Sequence, residues 1–78
     1  MWIIYNKNTC TNMKYKIDIS LTSYDSTFQI TFNDYDVLKV KADINIEKAT
    51  KFVDYLLTKD YAYKDNIQLI FDEWDKNW

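Results

Sequence analysis

Three runs of the chain alternate apolar and polar residues with a period of two, and this alternation limits the fold more than any other feature. Tyr15, Ile17, Ile19 and Leu21 alternate with Lys16, Asp18, Ser20 and Thr22. Phe28, Ile30 and Phe32 alternate with Gln29, Thr31 and Asn33, and Leu38, Val40 and Ala42 with Lys39, Lys41 and Asp43. A period of two sends successive side chains to opposite faces, so each run reads as a half-buried strand. Ser23-Tyr24-Asp25-Ser26 and Asn33-Asp34-Tyr35-Asp36 separate the runs. Connections this short join antiparallel neighbours, which predicts a three-stranded meander over 14–43 with one apolar and one wet face. The chain has no glycine. Asn and Asp are therefore the residues best able to take left-handed backbone in these turns.

After residue 43 the period changes. Ile46, Ala49, Val53, Leu56 and Leu57, with Phe52 beside them, fall at helical spacing. Asn45 suits the N-cap, Glu47 the first turn, Ile44 a staple to Ala49, and Glu47 and Lys51 an i,i+4 pair. The spacing predicts a helix over 45–59. Residues 60–64 read as a connector. Ile67, Ile70, Phe71, Trp74 and Trp78 then share one helical face, which predicts a second helix over 66–77 with Asp65 or Asn66 as its cap. Ile67, Leu69 and Phe71 also alternate as a strand would, so helix against strand stays open for 66–72.

The fold class that follows is α+β, a three-stranded antiparallel sheet with two carboxy-terminal helices on one face. Trp2 to Tyr5 reads as a short extra strand that would make the sheet four-stranded, and 6–12 as a loop. Met13-Lys14 could also be an internal start, which would make 1–12 an extension. Area scaling for a 9.5 kDa chain gives about 5,000 Å² of folded surface and roughly 63% burial, enough for one domain over 1–78 and a thin core.

Missing residue types narrow the function. Histidine is absent, which removes the usual general base near neutral pH and the imidazole metal ligand. Without glycine, a phosphate-cradling loop cannot be built in its usual form. Cys10 stands alone, so it reads as an inert thiol with no internal disulfide and no thiolate zinc site. We expect no enzyme, no cofactor and no metal. No segment approaches the roughly 20 apolar residues of a membrane span, so no membrane partner is expected. The reading is a cytoplasmic protein, and the excess of Asn, Ile, Lys and Tyr over Ala matches an AT-rich genome, such as that of a phage of a low-GC bacterium.

Charge placement is the sharpest remaining feature. Residues 17–38 hold Asp18, Asp25, Asp34 and Asp36 and no lysine, and the last nineteen residues hold five carboxylates against two lysines. Spaced carboxylates can stand in for phosphates, which recur about every 1.7 Å along duplex DNA. Asp25, Asp34 and Asp36, with Tyr24 and Tyr35 beside them, are therefore candidate contacts for a basic nucleic-acid groove on a partner. The structural reading is that Asp favours turns and keeps a surface soluble. Asp72 and Asp75 share a helical face, with Trp74 between them and Tyr63 upstream. They serve as candidate partner contacts or as a solvated helix face rather than a cation site. Trp2, Tyr5, Tyr61, Tyr63, Trp74 and Trp78 invite a base-stacking platform, but such a platform needs a cationic groove, and arginine is absent. Core or protein-interface packing is the better reading, and no direct nucleic-acid binding is expected.

The stretch from Lys14-Tyr15-Lys16-Ile17-Asp18-Ile19-Ser20 through Ala49-Thr50-Lys51-Phe52-Val53-Asp54-Tyr55-Leu56-Leu57, followed by the acidic aromatic tail to Lys76, resembles phage-encoded anti-CRISPR proteins. It is similar in pattern to the small acidic inhibitors of type II effector nucleases that imitate DNA. The resemblance implies a stoichiometric inhibitor whose carboxylates engage the DNA-reading site of a CRISPR effector or another nucleic-acid-binding protein. The chain departs from that family in its net charge of −2 and in an amino terminus that reads as strand where the family has a helix. The alternative reading is a structural or regulatory interaction module, a homodimer, antitoxin or immunity protein that docks through an aromatic helix face.

Overall fold

The computed structural model describes residues 1–13, 16–22, 25–34 and 36–78. Among them run β1 (Trp2–Asn6), β2 (Thr9–Asn12), β3 (Asp18–Thr22), β4 (Thr27–Phe32), β5 (Asp36–Lys41), α1 (Ile46–Leu57), β6 (Tyr61–Tyr63), a 3₁₀ turn (Lys64–Asn66) and α2 (Ile67–Lys76). The fold is α+β, with two three-stranded sheets in the strand orders β3-β4-β5 and β2-β1-β6.

The meander forms as the alternation predicts. β3 and β4 pair Ile19 with Ile30 and Leu21 with Phe28, and β4 and β5 pair Phe28 with Val40 and Ile30 with Leu38. Paired residues share a face, so the apolar members converge beneath the two helices. Phe28, Ile30, Phe32, Leu38 and Val40 are buried there against Ala49, Phe52, Val53 and Leu56 of α1 and Ile67 and Phe71 of α2. α1 lies on the β3 side of this sheet and α2 on the β5 side. Phe52 is the hub. Its ring meets Phe28 and Phe71 edge-on, with centroids 6.1 and 5.0 Å away, and lies 5.3 Å from Trp74. The folded surface is 5354 Å², close to the scaling expectation.

Several local expectations need correction. Trp2–Asn6 does form a strand, but it joins no meander edge. It is the centre of the second sheet, antiparallel to β2 and parallel to β6. Thr9–Asn12 and Tyr61–Tyr63, expected as loop and connector, are the strands that flank it. These segments are too short to show a period. Each is ordered by pairing, and Ile3 and Ala62 in the centre of the pair are buried. Asn45 caps α1, its side-chain oxygen accepting from the Lys48 N–H at 2.8 Å, whereas neither Asp65 nor Asn66 caps α2 through its side chain. A 3₁₀ turn leads into α2 instead. Helix α1 places its cation on α2, as Lys48 to Asp75 at 2.5 Å, rather than on Glu47 through Lys51. Ile46 and Leu57, expected on the buried stripe, are exposed. Asn33 and Asp34 take positive φ (54° and 71°), as the glycine-free turn requires, but in the other turn it is Ser26 (52°) and not Asp25. Tyr15, which opens the first alternating run, lies outside the described residues.

Candidate functional site

The second sheet has an inner and an outer face, and pairing decides which side chains share each. Ile3 pairs with Ala62 and with Thr11, and Ile3 and Ala62 are buried against the core. The flanking rows therefore point outward. One joins Trp2, Tyr61 and Asn12, and the next joins Ile4, Tyr63 and Cys10. Trp2 is 47% exposed, Tyr61 58% and Tyr63 50%. The Tyr61 and Tyr63 rings meet edge-on with centroids 6.2 Å apart. A shallow groove beside Tyr63 is walled by Ile4, Lys7 and Cys10.

Main-chain bonds hold this face in place. The Trp2 N–H donates to the Asp60 carbonyl at 3.0 Å, and the Met13 N–H donates to the Met1 carbonyl at 2.8 Å. Tyr5 ties the sheet to the meander, its hydroxyl donating to Asp36 Oδ1 at 3.0 Å. Partial burial, and then the Asp36 carboxylate beside it, push the Tyr5 phenol up to about 12. The Lys64 ammonium lies 5.5 Å from the centre of the Tyr5 ring. The Asn33 side-chain amide donates to the Asn12 carbonyl at 2.6 Å and makes a second tie.

The residues singled out from the sequence do not form one patch. Asp34 pairs with Lys16 at 3.1 Å across an exposed gap, and Asp36 accepts from Tyr5. Asp25 lies at the opposite end of the meander, where the Ala42 N–H donates to the Ser26 carbonyl at 2.8 Å and brings Asp43 alongside. Tyr24 and Tyr35 lie outside the described residues. Asp72 accepts from the Gln68 amide at 3.1 Å, and Asp75 pairs with Lys48. Trp74 is half-buried, its ring within 6.3 Å of those of Phe52, Tyr55, Phe71 and Trp78. It walls the core rather than standing free. Of the seven candidates among the described residues, Tyr63 alone sits on the aromatic sheet face, beside Trp2, Ile4 and Tyr61. The aromatic content pointed to Trp2 and Tyr61, but nothing in their sequence spacing joins them to Tyr63. Only the parallel β1–β6 pairing does.

This face can bury aromatic area while its two phenols and the indole N–H stay free to hydrogen-bond, the usual chemistry of a protein-contact surface. Among the described residues no three His, Cys, Asp or Glu side chains converge to hold a metal ion, and no helix is long and apolar enough to cross a membrane. Comparison with protein-family models, with curated proteins and with solved structures finds no match.

Proposed function

We propose that the chain is a small protein-binding module that acts by stoichiometric association, with Trp2, Ile4, Tyr61 and Tyr63 as its contact face. The observation that carries this reading is the in-register placement of three half-exposed aromatic rings on one sheet face. Tyr and Trp are the residues most often found as energetic anchors of protein interfaces, because they bury large area with few rotatable bonds. A base-stacking role would need a cationic groove around them. Lys7 lines the groove beside Tyr63, and Lys64 lies in sequence between Asp60 and Asp65. The test is capture from extract of the cells that carry the protein, with mass-spectrometric readout. A partner held by wild type and lost by Tyr61→Ser/Tyr63→Ser supports the reading. A partner retained by that variant removes it, and a low-salt gel shift with sub-micromolar affinity would replace protein by nucleic acid.

A second reading keeps the acidic surface and the anti-CRISPR resemblance: an inhibitor that occupies the DNA-binding site of a CRISPR effector. Its supporting observation is the Asp25 end of the meander, where Asp43 lies alongside and Glu47 follows on α1. On this reading, Asp25→Asn with Asp43→Asn weakens partner binding at least tenfold and salt weakens the wild-type complex. Normal binding by that variant dismisses it.

A further inference from the structure

The meander has two edges, and they are finished differently. On β5 the Gln68 side chain bonds both backbone groups of Lys41: its oxygen accepts from the Lys41 N–H at 2.8 Å and its amide donates to the Lys41 carbonyl at 3.2 Å. Lys39 and Lys41 add charge along that edge. Side-chain bonding and lysines are the usual means by which a sheet edge is closed to further pairing. The β3 edge shows neither. Its five residues, Asp18-Ile19-Ser20-Leu21-Thr22, carry one charge, at the first position. Leu21, on the inner face opposite Phe28, is 45% exposed.

Helix α1 leaves a matching apolar flank above this edge. Lys48 and Tyr55 mark the side of α1 turned toward α2, through the Lys48–Asp75 pair and the Tyr55–Trp74 stack. On the helical wheel, Ile46, Thr50 and Leu57 fall on the opposite side, within about 40° of one another at 3.6 residues per turn. That side faces the β3 edge, because α1 packs on β3. Ile46 is 49% exposed and Leu57 39%. Both layers of the domain thus end on exposed aliphatic side chains along the same edge. The strand edge is about 17 Å long and the helix about 18 Å.

We infer that a second copy of this chain covers this edge, β3 pairing antiparallel with β3 about a two-fold axis through Ser20. In that register Ile19 meets Leu21 of the second copy on the face beneath α1, and Asp18 meets Thr22 on the outer face, so no like charges oppose. Lys16 precedes β3 and Asp25 follows it. Antiparallel pairing therefore places Lys16 of each copy, which pairs with Asp34 in its own chain, near the Asp25 end of the other. The same axis runs the two α1 helices antiparallel, so that the Ile46 end of one lies by the Leu57 end of the other. The product is a continuous six-stranded sheet. The smallest specific interfaces bury roughly 600 Å² per partner, some 11% of the 5354 Å² surface. The dimer is accordingly weak and concentration-dependent. This surface is separate from the Trp2, Tyr61 and Tyr63 face, so the inference stands independently of the proposed function.

Sedimentation equilibrium from micromolar concentration to about 1 mM tests it. The wild type passes from monomer to dimer with rising concentration. Leu21→Lys stays monomeric at least tenfold higher in concentration, and Leu69→Lys, exposed on α2, dimerises as wild type does. With Cys10→Ser as background, Ser20→Cys is joined to itself by a short bis-maleimide, while a cysteine replacing Lys39 on the β5 side is not. A wild type that is monomeric throughout overturns the inference. So does a dimer that Leu21→Lys leaves intact or that Ser20→Cys fails to cross-link.

Discussion

Replacing Phe52 tests the core that positions both surfaces. The ring has no exposed surface, meets Phe28 and Phe71 edge-on and lies against Trp74. A buried Phe→Ala change costs about 3–5 kcal/mol. A 78-residue chain has total stability of about 4–12 kcal/mol, so Phe52→Ala removes about a quarter of it or more. Phe52→Leu keeps most of the buried apolar volume and loses two edge-on aromatic pairs, at about 0.5–1.5 kcal/mol each, for a cost of about 1–3 kcal/mol. Urea denaturation followed by far-ultraviolet circular dichroism measures both. Tryptophan fluorescence is unsuitable, because Trp74 touches the altered site. The midpoint should fall in the order wild type, Phe52→Leu, Phe52→Ala, with the slope unchanged. A Phe52→Leu midpoint equal to that of wild type would show that aromatic geometry contributes nothing. A loss below about 1 kcal/mol for Phe52→Ala would refute Phe52 as the hub.

Three further outcomes follow from individual contacts. Tyr5 has a folded pKa of about 12 against an ordinary 10.0, so its contribution to stability is fully present below pH 10 and is lost as pH rises toward 12. Tyr5→Phe removes that part of the alkaline loss and costs about 1 kcal/mol or less at neutral pH, as read by denaturation at stepped pH. Asn45→Ala deletes the α1 cap and should cost about 1 kcal/mol, whereas Asn66→Ala, whose side chain makes no cap bond, should cost less in the same titration. Gln68→Ala frees both Lys41 backbone groups, so the Lys41 amide should exchange with solvent faster while the Ile30 amide in β4 is unchanged.

The meander and both helices were legible because burial on one side leaves a period in the sequence. Phe28, Ile30 and Phe32 recur every second residue and are all buried, and Ala49, Phe52, Val53 and Leu56 recur at helical spacing. The second sheet was not legible for the complementary reason. Its strands of five, four and three residues bury one or no residue apiece, so they carry no period. β1 and β2 pair as a short hairpin, and β6 joins β1 from some sixty residues away, a non-local match that local pattern does not encode. The candidate site divides in the same way. Turn aspartates are conspicuous in sequence, yet Lys16, eighteen residues from its partner Asp34, and Tyr5 across the sheets from Asp36 already engage two of them. Tyr61 and Tyr63 were visible as aromatics, but their union with Trp2 depends on the parallel β1–β6 register. Ile46 and Leu57 fit the helical stripe by spacing and lie at its margin, where the edge of the sheet beneath leaves them uncovered.

The most direct measurement of the central claim is the affinity of the captured partner for three purified proteins, measured by calorimetry. They are the wild type, Tyr61→Ser/Tyr63→Ser, and Asp25→Asn/Asp34→Asn/Asp36→Asn. All the altered side chains lie at the surface or half-exposed, and circular dichroism checks that each variant is folded. The tyrosine variant should lose at least about 30-fold in Kd, the loss expected when interface anchors worth about 2 kcal/mol are removed. The aspartate variant should stay within about threefold of wild type, as exposed rim charges do. The reverse pattern, full affinity without the tyrosines and a tenfold or greater loss without the aspartates, would contradict the claim and assign the interface to the acidic turns.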